Sequence, residues 1–242
     1  MTYLSSIPIN PLRKEGQRLL SNRQRMHAAL LGGMAVQPVK GRILWRLETA
    51  EHSSRVLILT RSRPNWDHIV EQAGWPGADG GDPKVADYSP LLRMVVRGRR
   101  FTFRATLNTV SSSHNPSSAT ATQEKHLAAP SRRAVHVGER TASSQISWFL
   151  KRAADEHDQW GFTVGRSESP TVQIIGRSHE RFTRRRGEPP VSLNLATFEG
   201  ELQVTDPELM TRSLLEGIGK AKAYGCGLIT LAAAGGADVV VG

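Results

Sequence analysis

The sequence predicts an α+β protein built from two small αβ units in tandem. Three observations predict it. Strand and helix signals recur in a similar order in both halves of the chain. A Ser-, Thr- and Ala-rich stretch in mid-chain separates the two periodic regions. The 242 residues leave room for one large or two small cores at about 100 to 200 residues per domain.

The elements follow in order. Residues 3–9 place Leu4, Ile7 and Ile9 in a short run closed by Asn10-Pro11, a strand ended by a turn. Ser21-Asn22 offers an N-cap to RQRMHAALL, where Met26, Ala29 and Leu30 recur at helical spacing until Gly32-Gly33 stops the run. Residues 41–47 and 54–60 are rich in branched and aromatic side chains and read as strands. Pro64 opens a helix through Gln72 with Trp66, Ile69 and Val70 on one side. Residues 91–107 alternate apolar residues with arginines from Arg93 onward, bent at Gly98, and read as one strand. The order β-α-β-β-α-β is the ferredoxin-like (RRM-like) framework, which RNA-recognition sheets share and which fixes no function by itself.

Residues 108–140 are poor in large apolar side chains and read as a flexible linker or insertion. Thr141 caps a helix through His157 that carries Ile146, Phe149, Leu150 and Ala153 on one face. Strand signals follow at 162–164, 172–175 and 191–204. Asp206-Pro207 then starts a helix ended by Gly217, and 227–232 form a last strand. The expected division is an N-terminal unit at 1–107 with the His27 helix, the linker at 108–140, and a C-terminal unit at 141–242.

Charge names the partner class. The chain holds 32 Lys+Arg against 22 Asp+Glu, a net charge of +10, and 25 of its cations are Arg. A high-GC genome accounts for the Arg-to-Lys ratio but not for the sign, which points to a polyanion. Residues 1–107 hold 17 cations and 8 anions, while the rest hold 15 and 14. Cys226 is the single cysteine, so neither an internal disulfide nor a cysteine cluster for zinc is expected. No apolar run approaches the roughly 20 residues that span a bilayer, and no secretory signal is visible, so a cytoplasmic protein without a membrane partner is expected.

Three segments carry chemistry. GIGKAKAYGCGLITLA sets Gly217, Gly219, Gly225 and Gly227 around Lys220 and Lys222, a backbone able to approach phosphate closely. Its order, helix then loop then strand, is not that of a Walker loop. His27 has Arg23 one turn before it and Gln24 three residues before it. An imidazole beside guanidinium groups suits phosphodiester transfer, and a surface or core histidine is the alternative. Five arginines, Arg177, Arg181, Arg184, Arg185 and Arg186, cluster in what looks like a hairpin, either a grip on phosphates or a solvated basic loop. The aromatic pair Phe101 and Phe103 stacks bases or fills a core, and Trp45 and Trp66 read as packing.

The segments LSSIPINP, LLSNRQRMHAAL, GRILWRLE, RPNWD, FEGELQVTDPE and the glycine-rich ending together resemble the CasE family, the CRISPR-RNA-processing endoribonucleases of type I-E systems. The likeness covers both halves and leaves out roughly the linker. It implies two ferredoxin-like domains that bind the stem-loop of CRISPR repeat RNA and cut at the base of the stem without metal or cofactor. The products end in a 2′,3′-cyclic phosphate and a 5′-hydroxyl, and the enzyme stays on the 3′ hairpin of the crRNA beside the other Cascade subunits.

The family's catalytic histidine falls on His27, as general base or as acid. Gln24 stands where some members carry a tyrosine. Glutamine bonds a phosphate oxygen but donates no proton at a useful pKa, so either a partner from elsewhere, such as Arg23, Lys220 or Tyr224, fills in or the rate is low. The expected site is therefore His27 and Gln24 for catalysis. RNA is expected to meet Arg23, the five clustered arginines, Gly217, Gly219, Lys220, Lys222, Tyr224, Gly225 and Gly227. A non-catalytic RNA-hairpin-binding subunit, with Gln24 marking a lost site, is the alternative function.

Overall fold

The computed structural model describes residues 1–39, 41–50, 53–113, 121–128, 135–154, 160–165, 172–183, 187–188 and 190–233. Strand β1 (Tyr3–Ile9) sits inside a four-stranded antiparallel sheet with β2 (Leu44–Ala50), β3 (Ser53–Thr60) and β4 (Lys84–Asp87), in the order β2-β3-β1-β4. Alternation along these strands sends Ile7, Ile9, Trp45, Val56 and Ile58 to one face. There they meet Leu19 of α1 (Lys14–Ser21), Met26 and Leu30 of α2 (Arg23–Gly32), and Ile69 and Val70 of α3 (Asp67–Ala73). Leu44, Leu57 and Leu59 point the other way and join the core of the second unit. That is why residues 56–59 are apolar without a break.

Asn22 caps α2 as expected. Its backbone is extended and its side chain accepts from the amides of Gln24 and Arg25, each at 3.0 Å. Helix α1, directly before it, was not among the expected elements.

The expected strand over 91–107 is corrected. Residues Ser89–Arg93 form the short helix α4, and β5 (Arg100–Asn108) belongs to the other sheet, where it pairs with β10 (Val191–Val204) and β11 (Ile229–Ala233). The fourth strand of the first unit is β4, and the boundary between units falls before Arg100 rather than after Leu107. Alternation identifies a strand but not the sheet it enters.

The linker expectation is also corrected where the chain is described. Val110–Ser113 (β6) pairs with Val135–Gly138 (β7), and Ala121–Ala128 forms helix α5; the remainder of 108–140 lies outside the described residues. Backbone partners hold this polar stretch. The Thr109 amide donates to the Asn194 carbonyl at 2.8 Å and the Trp148 indole donates to the Val110 carbonyl at 3.2 Å.

Helix α6 (Ala142–Ala153) starts on Thr141 in a capping box with Ser144; the last part of its expected span lies outside the described residues. The second sheet runs β11-β5-β10-β8, with β8 at Phe162–Thr163, and β9 (Val172–Phe182) adds along β10. Helix α7 (Pro207–Glu216) is capped by Asp206 and stops at Gly217. Phe101 and Phe103 are buried among Phe149, Phe162 and Phe198, which settles them as core. Trp45 and Trp66 are likewise each 1% exposed. No helix among the described residues is long and apolar enough to cross a membrane.

One buried ionic network joins the sheets. Arg46 of β2, its side chain 2% exposed, donates to the carbonyl of Arg104 on β5 at 2.6 Å, to the carbonyl of Leu228 at 3.4 Å and to Thr230 Oγ1 on β11 at 2.8 Å. Glu48 accepts from Arg46 and from Arg55 of β3, and Arg104 lies 3.7 Å from it. Burial pushes the Glu48 carboxyl up, yet Arg46 and Arg55 together hold it below its ordinary value of 4.5. Removing Arg46 strands the acceptors it fills. Arg46→Met is expected to lower unfolding stability by about 3–5 kcal/mol, read from urea midpoints. A depressed carboxylate stabilises the fold above its unfolded pKa, so the network's contribution falls as pH drops below 4.5.

Candidate active site

His27 is set by the helix that carries it. Met26 and Leu30 are the buried stripe of α2, and position 27 turns to the edge of that stripe, half-buried. Its ring lines a cleft of about 1120 Å³ whose opposite wall comes from the segment after α7: Gly217, Gly219, Lys220, Ala221, Lys222 and Ala223. Arg42, before β2, and Arg61, after β3, line the same space, as does Glu216. Residues almost two hundred positions apart thus face one another. Nδ1 of His27 is enclosed and no described residue hydrogen-bonds it, which leaves Nε2 as the ring nitrogen for chemistry. Burial pulls the imidazole below its ordinary value of 6.5, so it is neutral at pH 7.

The opposing loop is built on unusual backbone. After Gly219, Ala221 takes a left-handed conformation (φ 66°) and begins the single 3-10 turn Lys222–Tyr224, which packs against α2 and β2. Gly225, at φ 75°, closes the turn, and a Cβ there would lie 2.7 Å from the Trp45 ring. At Gly227 a Cβ would lie 2.4 Å from the Ile218 carbonyl. Both glycines are buried and neither lines the cleft; each is required by the close packing of the loop. Cys226 between them is buried, its thiol pushed up to about 12 by that burial, and it is an inert core residue.

Arg23 is engaged within the protein. Its guanidinium makes a bidentate pair with Glu180 of β9, at 2.7 and 3.0 Å, and donates to the Tyr224 carbonyl at 3.0 Å. It lies 6.0 Å from the centre of Trp45. It ties α2 to the loop and to β9 from inside the protein. Tyr224 packs edge-on against Phe182 at 5.1 Å and is not part of the cleft wall. Gln24 is half-buried one turn before His27 and does not line the cleft either.

The arginine cluster divides. Arg177 and Arg181 lie on β9, and Arg184, Arg185 and Arg186 lie outside the described residues. Arg177 donates to the Gln145 side chain at 2.7 Å and, with His179 and Asn194, lines a second cleft of about 530 Å³; Arg181 is exposed. Sequence reasoning missed Arg42, Arg61 and Glu180. The two arginines sit at strand ends, where a cation gives no pattern, and Glu180 was hidden inside a basic run. Among the described residues no group of three or more His, Cys, Asp or Glu side chains is placed to hold a metal ion.

A family model described as CRISPR associated protein matches residues 2–233. The chain belongs to that family. One relative, the CRISPR-associated endoribonuclease Cse3 of Thermus thermophilus, is 28% identical over 239 residues, 95% of this chain and 99% of its own. A structure of Cse3 bound to 19 nt RNA superposes with a TM-score of 0.72 at 26% identity, covering 95% of this chain and 99% of that one. Another, Thermus thermophilus Cse3 bound to an RNA representing a pre-cleavage complex, gives 0.70 at 26% identity over 96% and 98%. Cas6e of Escherichia coli K-12, at 16% identity and TM-score 0.59 over 96% and 100%, shares the fold.

The loop geometry makes a paired prediction for this family member. Gly225→Ala adds a methyl against Trp45 at a positive φ and is expected to cost about 2–4 kcal/mol. Ala221→Gly relieves a left-handed alanine and is expected to stabilise by up to about 1 kcal/mol, after the entropy glycine returns to the unfolded chain. Unfolding midpoints of the two variants, moving in opposite directions, check both.

Proposed function

We propose that this protein is an endoribonuclease that binds the stem-loop of a CRISPR repeat transcript and cuts once at the base of the stem, without a metal ion. The observation that carries the reading is the meeting of His27 with the loop 217–223 in one cleft walled by arginines and lysines. RNA supplies its own nucleophile, the 2′-hydroxyl. The protein therefore needs only to hold the scissile phosphate in line, move protons and balance developing charge. A half-buried, neutral His27 is suited to take the 2′-hydroxyl proton as general base. The Cse3 structures with RNA support the substrate class.

Arg177 and Arg181 on β9, with the arginines that follow, are proposed to track phosphates of the stem, since an A-form helix offers shape and phosphate rather than a readable major groove. Gly217, Gly219, Lys220 and Lys222 are proposed to hold the RNA at the cut. Arg23 acts as a positioning group. In both sheets the central pair is the unit's first strand and the strand before a later helix, β3 before α3 in one and β10 before α7 in the other, which supports the reading as tandem ferredoxin-like domains. Holding the 3′ hairpin after the cut would place the protein in a Cascade complex.

His27→Ala is expected to lose at least about 100-fold in single-turnover cleavage of the cognate repeat, while hairpin affinity is retained. A chelator is expected to leave the 2′,3′-cyclic phosphate product unchanged. Protonation removes a base, so the rate is expected to rise with pH through a value below 6.5. Cleavage by His27→Ala at the normal rate contradicts the assignment. Tight hairpin binding with no product from any repeat of the same genome favours the binding-subunit reading instead.

A further inference from the structure

The cut needs a second proton carrier, one that gives a proton to the 5′-oxygen as its bond to phosphorus breaks. The geometry points to Lys222 as that general acid, facing His27 across the cleft; this rests on the cleavage reading above.

The groups around the cleft narrow the choice. Arg23 is held by Glu180 and the Tyr224 carbonyl, and Tyr224 is turned onto Phe182. Lys220 is exposed and donates to Ser112 Oγ at 2.9 Å. Arg42 and Arg61 line the cleft, but a guanidinium keeps its proton and stabilises charge rather than donating. Glu216, on the same wall, is exposed. Lys222 remains. It is half-buried on the turn that packs against the His27 helix, its stem lies against Gly227, and no described residue hydrogen-bonds or ion-pairs its ammonium. Burial and then the Arg42 charge pull its pKa below 10.5, against the opposite pull of Glu216, which eases proton release.

The step balances. The 2′-oxygen bonds to phosphorus as its proton passes to His27 Nε2, and the P–O5′ bond breaks as the Lys222 ammonium protonates the leaving oxygen. The products are the cyclic phosphate, a 5′-hydroxyl, imidazolium and a neutral amine, and exchange with water restores both side chains.

The test uses two cognate repeat RNAs, one ordinary and one with sulfur replacing the 5′-bridging oxygen at the cut, a leaving group that needs no proton. Lys222→Met is expected to lose about 100-fold or more on the ordinary RNA and most of that loss is expected to vanish on the sulfur RNA. The alkaline fall in the wild-type rate is expected to disappear in the variant. His27→Ala is expected to stay slow on both. Equal losses by Lys222→Met on the two RNAs overturn the donor role and leave it a phosphate contact, with the cleavage reading intact. A wild-type chain that cuts neither RNA overturns the cleavage reading and this one with it.

Discussion

The structure depends on one buried cation. Arg46 sits inside β2 between apolar neighbours, and its guanidinium crosses to the second sheet to fill the carbonyls of Arg104 and Leu228. Trp45, the residue before it, points to the opposite face and meets Gly225 and Arg23. Two adjacent side chains of one strand thus hold the second sheet on one face and seat the loop after α7 on the other. A buried ion pair contributes little net stability compared with an apolar substitute, because desolvation offsets attraction. Its value lies in direction. Directional hydrogen bonds specify one register between the two units, which an apolar seam does less well.

That register matters because the cleft belongs to neither unit alone. His27 comes from the first and the glycine-lysine loop from the second, and Arg23 with Glu180 adds a further tie across the chain. The cationic excess noticed in the sequence has two fates. Arg23, Arg46, Arg55 and Arg104 are turned inward against Glu180, Glu48 and Glu199, where they build the frame. Arg42, Arg61, Lys220 and Lys222 face the open cleft, where a polyanion would meet them.

What the sequence made legible was local. Asn22 and Asp206 mark the starts of α2 and α7 because a cap acts within three residues, and residues 191–204 show β10 by the recurrence of apolar residues along the run. His27 and the terminal loop stood out by residue type and by resemblance. Long-range partners were not legible. Nothing near Arg23 in the chain announces Glu180, and Arg46 looks like a polar interruption of an apolar strand until the second sheet is placed against it. Strand β5 was read with the wrong unit for the same reason, and β4, four residues without a buried side chain, offers no pattern to read.

The central claim is that RNA is cut in the cleft between the two units. The most direct measurement is a crystal structure of the full chain with its cognate repeat RNA, made uncleavable by a 2′-deoxy substitution at the attacking nucleotide. The account predicts the scissile phosphate within hydrogen-bonding reach of His27 and of the loop 219–223, with the stem running along β9. An RNA seated elsewhere, with its scissile phosphate outside the His27 cleft, would contradict it.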